Sequence, residues 1–318
     1  MSVAAIAIGR NEGARLVKCL ASLTRECAPV IYVDSGSTDG SVEAARAAGA
    51  EVVELDLSIP FTAARARNAG LNLLNSLDSD RDYVQFIDGD CELRDGWITA
   101  AQAAIEAEDR IAVVCGRRRE RFPEASRWNK LTDVEWDTAI GETKACGGDA
   151  LMRRAALAEV GGYRDDLIAG EEPEMCFRLR ETGWRILRID AEMAWHDAAL
   201  TRMGQWWKRN KRAGHAFAEG AALHGKSPER FRVGETRRAL LWGAVIPALA
   251  LVGSFVITPW ALLLMLAWPV QALRLWRGGM ALDRAWFLTL GKAAEAQGVL
   301  SYLWGRLTAR QARIIEYK

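Results

Sequence analysis

Tyr83-Val84-Gln85-Phe86-Ile87-Asp88-Gly89-Asp90 is a β-rich apolar run closed by two carboxylates that flank a glycine. Its length suits a buried strand, and the acids fall at the carboxyl end, where an open α/β sheet binds its ligands. Two carboxylates about a glycine also offer oxygen ligands to a hard divalent cation with little backbone hindrance. Toward the N-terminus the same alternation repeats: VAAIAI (3–8), ARLVKCLASL (14–23), VIYVDS (30–35), GSVEAARAAG (40–49), AEVVELD (50–56) and FTAARARNAGLNLL (61–74). Short apolar runs between amphipathic stretches predict βα units and a mainly parallel sheet, an α/β fold. Asp34 gives a second acidic strand end, after VIYV.

The chain has 318 residues and nearly balanced charge, 42 basic against 41 acidic side chains, which excludes a protein that coats nucleic acid. The balance hides an asymmetry. Residues 1–201 hold 24 Lys/Arg against 35 Asp/Glu, residues 202–238 hold 10 against 3, and residues 239–318 hold 8 against 3. An acidic body therefore carries a basic tail. The six cysteines are scattered without a C-x-x-C pair, and MSVAAIAIGRNE is interrupted too soon by Arg10 and Glu12 to be a signal peptide. Reduced thiols in a cytosol-facing protein are expected.

From Ala239 to Leu273 no charged residue occurs. As one helix these residues would extend about 52 Å, well beyond a hydrocarbon core of roughly 30 Å. Thr258-Pro259 near the middle predicts two helices instead, a transmembrane or re-entrant hairpin. Arg237 and Arg238 before the run and Arg274 and Arg277 after it favour the cytoplasmic side for both ends. Eight of the 13 tryptophans lie beyond residue 205, which suits headgroup depth. Trp206, Trp207, Phe217 and Leu223 interleaved with Lys208, Arg209, Lys211 and Arg212 suit an interfacial helix.

The motifs AIAIGRNE, VDSGSTDGS, ARARNAGL, FIDGD and GEEPEMCFRLRETGW, in this order, resemble the family 2 glycosyltransferases of GT-A fold, in their membrane-associated bacterial form. The expected organisation is a nucleotide-sugar glycosyltransferase domain over 1–200, a basic amphipathic interfacial segment over 201–238, the hairpin over 239–276 and amphipathic C-terminal helices over 277–318. The resemblance implies that Asp34, with Asn11 and Glu12, forms the pocket for the nucleotide base. Arg65, Arg67 and Asn68 would lie against the base or diphosphate, and Gly148 and Asp149 would approach the sugar or the acceptor. Asp90, with Asp88 and His196, would bind Mn²⁺ or Mg²⁺. The acidic pair reads Glu171-Glu172 where the commonest family form has Glu-Asp, so the base role passes to Glu172 by position, with Glu171 as the alternative.

The expected function is an inverting, metal-dependent transfer of sugar from a nucleotide-diphosphate sugar, UDP-linked by default, to a lipid-linked polyprenyl-diphosphate acceptor. Its place would be the cytoplasmic face of the cell inner membrane, in polysaccharide or glycolipid biosynthesis, with no nucleic-acid partner. The rivals are a nucleotidyltransferase of related fold, against which GEEPE and the apolar tail argue, and an inactive membrane-anchored binding module.

Overall fold

A computed structural model describes residues 3–77 and 80–308. The expected C-terminal amphipathic stretch is thus described only to residue 308, its remainder lying outside the described residues. The chain divides into two compact units, one of residues 1–167 and 171–201, the other of residues 168–170 and 202–318.

The first unit begins with β1 (Val3–Gly9), α1 (Ala14–Glu26), β2 (Val30–Asp34), α2 (Ser41–Ala47), β3 (Glu51–Glu54), α3 (Ala63–Ser76) and β4 (Tyr83–Asp88). It continues through β5 (Cys91–Leu93), α4 (Trp97–Glu106), β6 (Ile111–Glu120), α5 (Arg127–Glu135), β7 (Gly141–Glu142) and β8 (Ala150–Arg153). It closes with α6 (Arg154–Glu159), α7 (Glu171–Glu181) and β9 (Arg185–His196). The sheet order is β3-β2-β1-β4-β8-β6-β9-β5, with β7 paired to β9. Strands β3, β2, β1 and β4 run parallel, β8 is antiparallel to both β4 and β6, and β9 is parallel to β6.

The first strands are buried on both faces, which is why VAAIAI and VIYV read as continuous apolar runs. Leu16, Cys19, Leu20 and Leu23 line one side of α1 at helical spacing and bury it on the sheet. Helix α3 starts at Thr62, whose side chain accepts from the Arg65 amide at 3.0 Å. It lies close to the sheet because residue 70 is glycine: a Cβ there would stand 2.5 Å from Ile6. A polar pair deep in this core is matched, the Trp97 indole donating to Gln85 Oε1 at 2.8 Å. All six cysteines are free thiols, five buried and Cys146 partly exposed.

The second unit is helical: α8 (Met203–His224), α9 (Val233–Leu240), α10 (Ile246–Val256), α11 (Ala267–Arg277) and α12 (Leu282–Leu307). A π-helical turn, Leu241–Val245, joins α9 and α10 into one 24-residue helix, Val233–Val256, long and apolar enough to cross a membrane. The break falls at Thr258, and Pro259–Leu266 returns as a 3₁₀ helix into α11. Helices α8 and α12 meet backbone to backbone. A Cβ on Gly214 would lie 1.9 Å from the Glu295 carbonyl oxygen, and one on Gly298 would lie 2.0 Å from that of Lys211.

This contact yields a stability prediction. Gly298→Ala forces the two helices apart and should cost about 1–3 kcal/mol, the usual penalty for overpacking. A thermal melt of the detergent-purified chain should show a lower transition; an unchanged one would mean that the crossing has room for a methyl group.

Candidate active site

The β1–α1 and β2–α2 loops are tied together at the carboxyl edge of the parallel strands. Asn11, in the left-handed region at φ 57°, accepts from the Thr38 amide at 2.8 Å, and its own amide donates to Ser37 Oγ at 2.9 Å. Asp34 accepts from Tyr32 Oη at 2.8 Å and from the amides of Gly36 and Ser37 at 2.8 and 2.7 Å. Its carboxylate is buried and shapes the loop that follows β2. Glu12 sits beside these groups, paired with Arg15 at 2.7 Å. Asn11, Glu12 and Asp34 are therefore brought to one place.

Arg67 and Arg65, two residues apart on α3, go different ways. Arg65 donates to the carbonyls of Ile59 and Asp56, holding the loop before the helix, away from the carboxylates. Arg67 is buried and bridges Asp88 Oδ1 at 2.9 Å and Glu171 Oε1 at 2.7 Å. Burial works against its charge, yet Asp88 and Glu171 outweigh that cost and push its pKa above the ordinary arginine value. Asn68 turns to the loop after α6, donating to the Tyr163 carbonyl and to Asp165 Oδ1, both at 2.7 Å.

Gly148 lies against this bridge. A Cβ there would stand 2.6 Å from the Arg67 guanidinium and 3.1 Å from Asp88, so a side chain would displace the pair. Asp149, next in sequence, accepts from the Asp88 amide at 2.9 Å and pairs with Arg118 at 3.2 Å. It is buried and braces the Asp-Gly-Asp turn from below.

Pairing of β5 with β9 sets Cys91 opposite His196 and so carries the imidazole to the turn. His196 Nε2 lies 3.4 Å from Asp90 Oδ1, its Nδ1 lies 3.7 Å from Glu120 Oε2, and the Trp136 ring packs edge-on at 4.6 Å. Ligand atoms of Asp90, Cys91 and His196 lie within 4.8 Å of one another. Burial, then the Asp149 charge, pushes the Cys91 thiol well up, and the thiol donates to Asp149 at 3.2 Å. The donors left are carboxylate oxygen and imidazole nitrogen, a set that fits Mn²⁺ or Mg²⁺ better than a thiophilic metal.

The two glutamates that open α7 differ. Glu171 is committed to Arg67. Glu172 is buried; its Oε1 accepts from the Cys146 amide at 2.8 Å and from Cys176 Sγ at 2.9 Å, while Oε2 has no hydrogen-bond partner among the described residues. Burial is the main cause that raises its pKa, with Glu171 adding to it.

Several contributors were not singled out from sequence: Arg118, Trp136, Glu120 and Cys176. Arg118 lies over the Trp136 ring at 4.2 Å while holding Asp149. The two-residue period of a strand already sets Arg118 and Glu120 of the RRRE run on one face of β6.

A mostly parallel sheet with an Asp-Gly-Asp turn, a histidine and an acidic helix start at its carboxyl edge defines the GT-A class of α/β fold. Residues 6–161 match the family described as glycosyl transferase family 2, and the chain carries a domain of that family. The succinoglycan biosynthesis protein ExoA of Rhizobium meliloti is 30% identical over 190 residues, 56% of each chain. The glycosyltransferase AglE of Haloferax volcanii is 24% identical over 217 residues, 64% of this chain and 69% of that one. The match thus spans little more than half the length of ExoA. Among solved structures, the mannosyltransferase PcManGT of Pyrobaculum calidifontis, in complex with GDP-Man and Mn²⁺, superposes with a TM-score of 0.65 at 20% identity. That likeness covers 96% of this chain and 88% of that one.

Two predictions follow from the geometry. A carboxyl whose pKa is raised by folding favours the folded state below its ordinary value of 4.5 and loses that contribution as pH rises through the raised value. Glu172→Gln removes this loss, so its melting temperature relative to wild type should climb as pH rises above the ordinary glutamate value of 4.5. A difference that stays flat with pH would show that Glu172 is not perturbed. Gly148→Ala should break the Arg67–Asp88 contact and weaken nucleotide-sugar binding at least about tenfold, a loss of roughly 1.4 kcal/mol, in calorimetric titration.

Proposed function

We propose that this chain is a metal-dependent, inverting glycosyltransferase that moves a sugar from a nucleoside-diphosphate sugar to a lipid-linked acceptor at the cytoplasmic face of the inner membrane. The observation that carries the reading is the pairing of Asp90 with His196 at the Asp-Gly-Asp turn, together with a buried glutamate, Glu172, on the helix start that Arg67 ties to Asp88. Asp90 and His196, with Asp88, would hold the divalent cation. Such an ion neutralises charge on a departing nucleoside diphosphate. The ExoA relative, by name a succinoglycan biosynthesis protein, favours polysaccharide assembly as the setting.

Glu172 is the base of this reading because Glu171 is held in an ion pair by Arg67. As the acceptor oxygen attacks the anomeric carbon, its proton passes to Glu172 Oε2 and the bond to the diphosphate oxygen breaks. One displacement inverts the anomeric configuration. Glu172 is covered by the 146–148 loop, whose Cys146 amide holds Oε1, and the acceptor reaches it when that loop moves. Gly147, at φ 92°, gives the loop its freedom. Arg67 and Gly148 shape the donor side, while Asn11, Glu12 and Asp34 frame the base pocket. Arg65 and Asn68 act one step back by fixing the loops at either side of α3.

Membrane attachment is supported by the second unit. Phe255, Ile257, Trp260, Trp304 and Leu307 are all exposed, and basic residues collar the charge-free run.

The test is transfer by the detergent-purified chain with Mn²⁺ or Mg²⁺, screening GDP-, UDP- and dTDP-sugars against a polyprenyl-diphosphate-sugar acceptor. One donor should release nucleoside diphosphate, with Asp90→Ala and Glu172→Gln each losing about a hundredfold or more. If no nucleotide sugar binds or is consumed, the transferase reading fails and a binding module takes its place.

A further inference from the structure

The charge-free run folds into two limbs of matched reach. Ala239–Val256 rises as continuous helix for about 27 Å at 1.5 Å per residue. The 3₁₀ stretch Pro259–Leu266 and the first two turns of α11, to Leu273, return over about 26 Å. Gly253 lets the limbs close at the top, since a Cβ there would meet that of Ala261 at 2.9 Å. Both limbs end in arginine pairs, Arg237 and Arg238 on one and Arg274 and Arg277 on the other.

The turn between them is built for a place without water. The amides of Ile257 and Thr258 both donate to the Gly253 carbonyl, at 2.9 and 3.0 Å. Residue 259 is proline and has no amide hydrogen. The Trp260 amide donates to Thr258 Oγ1 at 3.4 Å, and the Ala261 amide to the Thr258 carbonyl at 3.0 Å. Every amide hydrogen from 257 to 261 is thus met within the turn. The two hydroxyls are also turned inward: Ser254 Oγ donates to the Leu251 carbonyl at 2.7 Å, and Thr258 caps the 3₁₀ helix. What the turn presents outward is Phe255, Val256, Ile257 and Trp260, each at least 75% exposed. A turn in water can leave amides to the solvent, whereas a turn in hydrocarbon cannot, and this turn joins satisfied amides to an apolar outer face.

We infer that residues 239–273 form a re-entrant hairpin whose tip ends inside the hydrocarbon layer, with both arginine-bearing ends on one side of the bilayer. The partner of this surface is lipid acyl chain. The inference rests on the membrane association proposed above and adds its topology: the hairpin enters and leaves by the same face.

The experiment uses the full chain in sealed vesicles of both orientations and a membrane-impermeant maleimide. Ala281→Cys, on the exposed loop after α11, reports the near side. The native chain supplies the background, as five of its six thiols are buried. The Ile257→Cys thiol should react at least tenfold more slowly than the Ala281→Cys thiol from either side, and reach the same rate once detergent is added. Fast reaction from the side opposite to Ala281→Cys would establish a spanning hairpin and overturn the topology. Fast reaction from the same side would place the tip at the surface and overturn it equally. An alkaline carbonate wash separates the two levels: release of the native chain defeats membrane association itself, whereas retention with far-side labelling defeats only re-entry.

Discussion

The buried guanidinium of Arg67 holds together three parts of the catalytic unit that are distant in sequence. It comes from α3, grips Asp88 at the end of β4, and grips Glu171 at the start of α7. The two carboxylates that face it offset the cost of burying this positive charge. Gly148 completes the constraint from the fourth side, since its missing side chain is what leaves room for the pair. The Asp-Gly-Asp turn, α3 and the acidic helix start are thus set in register by one ionic bridge. Loss of Arg67 takes the cation from both carboxylates at once and leaves the largely buried Glu171 charge without it, which is far costlier than the loss of a surface ion pair.

Much of this was legible before any coordinates. The strands of the parallel half announce themselves because they are buried on both faces, and the acids at the ends of β2 and β4 stand where a doubly wound sheet opens. Thr258-Pro259 marks the helix break because proline cannot continue the helix that precedes it. The less legible parts depend on pairings between distant strands. His196 reaches Asp90 only because β9 returns antiparallel to β5, and no local pattern in Ala-Trp-His-Asp encodes that register. Arg65 and Arg67 look equivalent in Ala-Arg-Ala-Arg-Asn, yet two residues on a helix differ by about 200° in direction, so one lies under the sheet edge and the other on a loop.

The helical unit is held by a different kind of force. Helices α8 and α12 approach through glycines until backbone touches backbone, which maximises dispersion contacts without requiring a large apolar side-chain core. That mode of packing remains effective where lipid removes the hydrophobic drive between helices, and it frees the apolar side chains of the unit to face outward.

Glutamate at position 172, where aspartate is the commoner choice, adds one methylene to the arm that bears the carboxylate. The placement of that carboxylate is then set less by the backbone of α7 than by what holds its far end, the Cys146 amide and the Cys176 thiol. On the proposed mechanism, proton acceptance is coupled to displacement of the 146–148 loop. A water molecule supplies too little binding energy to move that loop, whereas an extended acceptor can spend its remote contacts on doing so. Such a site guards an activated sugar against futile hydrolysis without needing a separate lid.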